Sequence, residues 1–139
     1  MSKFKTQGIL CTFKNAGRGI RISLKAERNI RIHIAAAVLV ILTAILLKMS
    51  IEKICILILA ISNVIVAEFI NTSLEYGLDA VFHNRYSRLV GMAKDISAGA
   101  VIVASSFSAI IGVLLFGSEI LKIFSILPYW HHLFQHSLF

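Results

Sequence analysis

The amino-acid sequence predicts an all-α membrane protein with three transmembrane helices and an N-terminal amphipathic surface helix. Apolar residues make up 58% of the 139 residues, and the mean hydropathy is +0.84, whereas soluble domains are about 45–50% apolar. Three long apolar segments are separated by short polar stretches, and a basic segment precedes the first of them. A chain of this length forms one compact domain, which we assign to residues 1–139.

The N-terminal segment is basic and amphipathic. Eight of the fourteen Lys and Arg residues lie at or before Arg31, where the only acid is Glu27. From Gly17 onward, apolar and basic residues fall on different helical faces, which predicts a surface helix at about residues 14–31. A solvated basic leader is the alternative. The late start of the first apolar segment argues against a signal peptide. No base-stacking aromatic pattern accompanies the charge, so we expect no nucleic-acid partner.

Three apolar segments predict the membrane spans. A helix needs roughly 17–25 residues to cross the hydrocarbon core, and only the third segment reaches that length without its polar ends. The first two helices are therefore expected to project from the bilayer. A tight turn at residues 48–53 joins them. The predicted spans are residues 32–48, 53–82 and 94–121.

The C-terminal tail, residues 122–139, is predicted to lie at the membrane interface. Tyr129 and Trp130 favour the headgroup level. A metal site is an alternative use of the tail, although no carboxylate or cysteine completes a ligand set. The histidines available for it are His131, His132 and His136.

The distribution of basic residues predicts the orientation in the membrane. Cytoplasmic loops carry an excess of Lys and Arg. With the N-terminus inside, residues 1–31 and 83–95 bring eleven Lys and Arg to the cytoplasmic side, against three on the opposite side. We therefore expect a cytoplasmic N-terminus. The acids at the polar ends of the spans then face the compartment that holds ATP and free Mg²⁺.

The second span carries three carboxylates on one face. A helix turns by about 100° per residue, so Glu75 and Asp79, seven and eleven residues after Glu68, lie within about 20° of its line. Asn71 and Thr72 flank this line. A carboxylate so far along an apolar segment is costly and usually marks a function. This face therefore predicts a cation site.

Further charges are expected at the same membrane boundary. Glu27 ends the surface helix, and Lys94 and Asp95 begin the third span, ahead of small residues at 97–100. Mg²⁺ usually takes one or two carboxylates plus substrate phosphates, and a lysine neutralises phosphate. Small residues allow a lipid headgroup to approach closely. These residue types permit a metal–phosphate site, and they equally permit ordinary ion pairs and helix caps.

Two ordered motifs contain most of these residues. They are Glu68-x-x-Asn71-Thr72-x-x-Glu75-x-x-x-Asp79 and Ala93-Lys94-Asp95-x-x-Ala98-Gly99-Ala100-Val101. The pair resembles the signature of the prokaryotic diacylglycerol kinase family, over about residues 10–118. The segment from Glu27 to His33 is similar to the form found in the undecaprenol kinase branch of that family. The resemblance implies a three-helix lipid kinase of the bacterial inner membrane that uses ATP and Mg²⁺ and assembles as a homotrimer among the membrane lipids.

The resemblance also implies a role for each site residue. Glu68 would be the general base that takes the proton from the lipid hydroxyl, with Ala98 beside the lipid substrate. Glu27 and Glu75 would hold Mg²⁺ on the ATP phosphates. The remaining nucleotide-binding residues would be Asn71, Asp79, Lys94 and Asp95.

One loop departs from the family pattern. The family usually has an acid, an aromatic residue and a histidine before the third span, and this chain has Arg85-Tyr86-Ser87. The loss of the acid and the histidine alters the nucleotide contacts expected from this loop.

The sequence thus predicts ATP-dependent phosphorylation of a lipid alcohol, with undecaprenol favoured over diacylglycerol. One alternative is a small cation-coupled transporter, in which Glu68 would bind the transported cation and Lys94 and Asp95 would have no role. A structural membrane subunit is the other alternative.

Overall fold

The computed structural model describes residues 8–83, 85 and 87–136, with side chains as far as residue 125. The described part of the chain is helical and contains no strand. Three helices are long and apolar enough to cross a membrane, whereas the first is short and weakly apolar. The predicted fold class is therefore confirmed. The helices are α1 (Ile9–Ala26), α2 (Arg28–Leu46), α3 (Ile51–Phe82) and α4 (Arg88–His136).

The junction between α1 and α2 lies earlier than predicted. The chain breaks at Glu27, whose backbone is extended (φ −97°, ψ 119°). Arg31 Nη1 donates hydrogen bonds to the carbonyl oxygens of Leu24 and Lys25, at 3.0 and 2.9 Å. These carbonyls lie in the last turn of α1, where no intrahelical partner is available. The predicted end of the surface helix at Arg31 is thus wrong, because Arg31 belongs to α2 and caps α1 from there.

α1 has the character of a helix that lies on a membrane. None of its residues is buried, and its apolar and basic residues are on opposite faces. Such a helix places its apolar face in the acyl boundary and its basic face near anionic headgroups.

The end of the bundle away from α1 contains a small apolar core. The turn after α2 places Lys48 in the left-handed conformation (φ 52°), and the Met49 amide donates to the Ala44 carbonyl at 3.1 Å. Ala44, Met49 and Leu57 are buried together and pack against Leu115 of α4. Packing of this kind is the main force between helices in lipid, because the surrounding acyl chains are as apolar as the side chains.

A polar cluster also joins α3 to α4 at this end. Lys53 Nζ lies 2.5 Å from Glu119 Oε1 and 2.7 Å from Ser118 Oγ. Lys122 Nζ contacts the same carboxylate at 3.3 Å. The cluster fixes the lateral position of α3 against α4.

α4 is longer than the predicted third span in both directions. It begins at Arg88, where the Gly91 amide donates to the Ser87 carbonyl at 2.9 Å and closes the first turn. Residues 122–136 of the predicted interfacial tail continue α4 as helix, and their location at the membrane interface stays a prediction. The side chains of the three tail histidines lie outside the described part of the chain.

We expect Ala44→Leu to lower the thermal stability of the protein. Ala44 is completely buried (0% exposed), and extra methylene groups in a packed core cost about 1–3 kcal/mol. Ala35→Leu is the matched control, because Ala35 is exposed on the same helix. Thermal unfolding of both variants in detergent, followed by circular dichroism, measures the difference. Equal melting temperatures would contradict the packing described here.

Candidate active site

Glu68 is a buried carboxylate in the middle of the bundle. It is 4% exposed, and Thr72, one turn further along α3, is 3% exposed. Oε1 of Glu68 lies 3.1 Å from Nε2 of His33 on α2. Burying a carboxylate is costly unless it is paired, and among the described residues His33 is its only polar partner.

A cavity of about 400 Å³ opens beside this pair. Side chains of α2, α3 and α4 all line it, and three of the five α4 residues are small, namely Ala98, Ser105 and Ser106. The small residues leave room for a substrate group to reach the carboxylate. The lining residues that matter below are Asn29, His33, Glu68, Asn71, Ala98 and Ser105.

A second cavity of about 400 Å³ has an apolar lining that reaches Leu57 and Phe116. His33 and Ser105 line both large cavities. A smaller cavity of about 100 Å³ also has His33 in its wall. Leu57 is eleven residues before Glu68 on α3, so the far end of the apolar cavity lies about 16 Å along the helix from that residue. The cavity that Glu68 lines is therefore linked to an apolar cavity through the two shared residues, His33 and Ser105.

A polar network continues from this cavity towards the α1 end of the bundle. Asn71 Nδ2 donates to Glu75 Oε1 at 3.0 Å, and Ser97 Oγ donates to Asn71 Oδ1 at 2.6 Å. Further along, Lys94 Nζ donates to Asp79 Oδ1 at 2.5 Å. These contacts join α3 to α4 and place two carboxylates, one amide and one ammonium group at one end of the bundle.

Glu27 approaches the same end from the α1–α2 junction. The Tyr76 hydroxyl donates to Glu27 Oε1 at 3.4 Å. Tyr76 directly follows Glu75 on α3, so this contact brings Glu27 to the part of α3 that carries Glu75. No group of three His, Cys, Asp or Glu side chains that would hold a metal ion alone occurs among the described residues.

The structure brings together most of the residues singled out by sequence. Glu68 and Ala98 line the cavity. The network beyond it contains Asn71, Glu75, Asp79 and Lys94, and Glu27 lies at its edge.

Asp95 lies apart from this network. It is exposed and makes no polar contact with the other described residues. In the loop that departs from the family pattern, Arg85 is exposed and Tyr86 lies outside the described residues.

Three residues of the site had no role in the sequence analysis: His33, Tyr76 and Ser97. His33 is the last residue of the motif that begins at Glu27, so its position in that motif was a usable signal. Tyr76 directly follows Glu75, and Ser97 was noted only as a small residue. Their partners lie on other helices, and the register between two helices is not contained in the periodicity of either.

Comparison with known proteins agrees with the motifs found in the sequence. The sequence profile of the family described as "Prokaryotic diacylglycerol kinase" matches residues 14–116. An undecaprenol kinase of Bacillus subtilis is 38% identical over 105 residues, covering 76% of this chain and 85% of that protein. A diacylglycerol kinase of Synechocystis sp. is 35% identical over 104 residues, covering 75% of this chain and 59% of that protein. The resemblance found in the sequence motifs is confirmed, and the chain belongs to the prokaryotic diacylglycerol kinase family of membrane lipid kinases.

Proposed function

We propose that this lipid kinase transfers the γ-phosphoryl group of ATP to the hydroxyl of undecaprenol. The observation that carries the proposal is the buried Glu68, which lines a cavity that shares His33 and Ser105 with a second, apolar cavity. A long-chain alcohol fits this arrangement, with its hydroxyl at the carboxylate and its chain along the apolar space. Support for undecaprenol comes from the segment Glu27 to His33 and from the Bacillus subtilis undecaprenol kinase, which the chain matches over 85% of its length.

In this proposal Glu68 is the general base. A base must lie within hydrogen-bonding reach of the proton that it removes, and the cavity gives a hydroxyl access to the carboxylate. The hydroxyl proton passes to Glu68, the alcohol oxygen bonds to the γ-phosphorus, and ADP leaves with the electron pair of the broken bond. Phosphoryl transfer depends mainly on positioning and on neutralising charge, so the remaining residues hold the two substrates in line. Ala98 leaves space for the lipid hydroxyl.

The polar network is proposed as the nucleotide site. Mg²⁺ usually takes one or two carboxylates and completes its shell with phosphates and water, which fits the pair Glu27 and Glu75. When bound, Mg²⁺ neutralises charge on the phosphate oxygens. Asn71 orients the Glu75 carboxylate through the bond at 3.0 Å.

Lys94 is proposed to contact the ATP phosphates as a point charge. It is half-buried and bonded to Asp79, which holds its ammonium group at the proposed nucleotide site. Asp95, the next residue, is proposed to complete the nucleotide pocket from its exposed position.

The proposed setting is the bacterial cytoplasmic membrane, with the N-terminus inside. The excess of Lys and Arg at the α1 end supports this orientation. A homotrimer is proposed on the family resemblance. Many large apolar side chains of α2, α3 and α4 are exposed, so they are available to acyl chains or to neighbouring subunits.

The test uses purified protein in mixed micelles with labelled ATP, Mg²⁺ and a panel of lipid alcohols. We expect labelled phospholipid product, with a higher kcat/KM for undecaprenol than for diacylglycerol. A higher kcat/KM for diacylglycerol would identify diacylglycerol as the preferred substrate instead. If the protein makes no lipid product and carries out proton-coupled transport in vesicles, the kinase proposal is wrong and the transporter function is favoured.

We expect Glu68→Gln to reduce kcat by about 10²–10⁴-fold, the usual contribution of a general base. The amide keeps the shape of the side chain and removes its capacity to accept the hydroxyl proton. Glu52→Gln is the matched control, because Glu52 is exposed at the other end of the same helix. Initial rates of lipid phosphorylation measure the effect. An active Glu68→Gln protein would exclude Glu68 as the base.

We expect Glu75→Gln to raise the Mg²⁺ concentration that gives half-maximal activity by about tenfold or more, since a ligand that carries charge is lost. The KM for the lipid should stay unchanged, because the lipid cavity lies deeper in the bundle. A Mg²⁺ titration of both proteins measures the shift, and a chelator should abolish the activity of the wild type. Full activity with chelator present would remove the proposed Mg²⁺ role.

We expect Gly112→Leu to weaken the use of long prenyl alcohols more than that of short ones. Gly112 lines the apolar cavity, and a Cβ atom there would meet no other atom within 4 Å, so a leucine side chain can occupy that space. Gly117→Leu is the matched control, because a Cβ atom at Gly117 also meets nothing within 4 Å. On the same helix, position 117 is rotated by about 140° from position 112, so its side chain does not point to the same side. The KM values for alcohols of increasing chain length measure the effect. An equal effect of both variants on all chain lengths would show that the alcohol does not use this cavity.

A further inference from the structure

His33 contacts the proposed base, and the mechanism above gives it no part. Its Nε2 lies 3.1 Å from Oε1 of Glu68, and the exposed fractions of the two side chains are 29% and 5%. His33 therefore reaches from the open side of the cavity to a carboxylate that is almost completely enclosed. It also lines all three cavities around the site.

A general base needs a fixed side-chain orientation as well as a group that can accept the proton. A glutamate side chain has several rotatable bonds, and a displacement of about 1 Å at a reacting group can reduce a rate by about 100-fold. Neighbouring polar groups normally fix such a side chain. Among the described residues, only His33 makes a polar contact with the Glu68 carboxylate.

The contact uses one of the two carboxylate oxygens. Oε1 faces the imidazole, and the other oxygen makes no polar contact with the described residues. Asn71 also lines this cavity, but its amide is occupied by Glu75 and Ser97. The imidazole thus contacts one carboxylate oxygen, and the other oxygen is the one that can react.

We propose that His33 is a positioning residue for phosphoryl transfer, which holds Oε1 of Glu68 so that the other oxygen accepts the proton of the lipid hydroxyl. This inference rests on the proposed function of Glu68. The hydroxyl proton moves to Glu68, the alcohol oxygen forms its bond to the γ-phosphorus, and the bond from that phosphorus to the bridging oxygen breaks with its electrons leaving on ADP. His33 takes up no proton in this step and acts only through Glu68.

The first experiment compares His33→Gln with His33→Leu in the lipid phosphorylation assay. Glutamine supplies an N–H group in place of Nε2, whereas leucine fills the space without a donor. We expect His33→Gln to keep kcat within about fivefold of the wild type and His33→Leu to lower it by about 100-fold. The KM for ATP should stay within about twofold in both variants, because the nucleotide site is separate. Thr43→Val is the control on α2, since the Thr43 hydroxyl bonds to its own helix at the Leu39 carbonyl.

The second experiment places His33→Leu in a Glu68→Gln background. If His33 acts through Glu68, the double variant should be as active as Glu68→Gln alone, because groups that work as a unit have non-additive effects. This background also removes the buried charge, so the double variant keeps the test available if His33→Leu by itself does not fold.

Three outcomes would overturn the proposal. One is a His33→Leu enzyme with more than half of the wild-type kcat. Another is an equal loss in His33→Gln and His33→Leu, which would show that the donor group is not what matters. The last is a further loss of about 100-fold on adding His33→Leu to Glu68→Gln, which would assign His33 a role independent of the base. If the wild type makes no phospholipid, the proposed function itself fails.

Discussion

The structure depends on the pairing of a buried carboxylate inside a membrane bundle. Glu68 is enclosed by three apolar helices, and a carboxylate there is unfavourable without a partner. His33 supplies that partner from α2, so the contact also sets how α2 lies against α3. The cavities beside the pair leave space for a substrate at the level of this contact.

The two ends of the bundle differ in how their side chains pack. At the end away from α1, Ala44 and Leu57 pack closely, and Lys53 with Glu119 holds α3 against α4. Near Glu68 a cavity remains, and the residues that α4 contributes to its lining include the small Ala98 and Ser105. Apolar packing and the Lys53–Glu119 pair hold the end away from α1 together, and the polar network with its Lys94–Asp79 pair lies at the other end. The packed end of the bundle keeps the proposed site in place, and the site itself stays open to a lipid and a nucleotide.

Much of the site was predictable because it belongs to one helix. Glu68, Glu75 and Asp79 share a face through the helical repeat, and the structure places Glu68 in the wall of a cavity and Asp79 in contact with Lys94. The boundary of α1 was not predictable in the same way. The helix ends at Ala26 because Arg31, seven residues from Leu24, folds back to cap it, and such a bond depends on the angle between two helices. α4 also continues past the predicted span to His136, although Pro128 lies in this part of the chain and proline disfavours a helix interior.

The amino-acid sequence alone determined the helical class, the three apolar spans, the carboxylate face of α3 and the family motifs, because each of these follows from composition or from a repeat within one segment. The tertiary structure decided which groups meet. Ser97 reaches Asn71 and His33 reaches Glu68 only because the helices take one particular register and rotation. That register comes from side-chain packing and polar contacts summed over whole helix faces, and no single stretch of the chain contains this information.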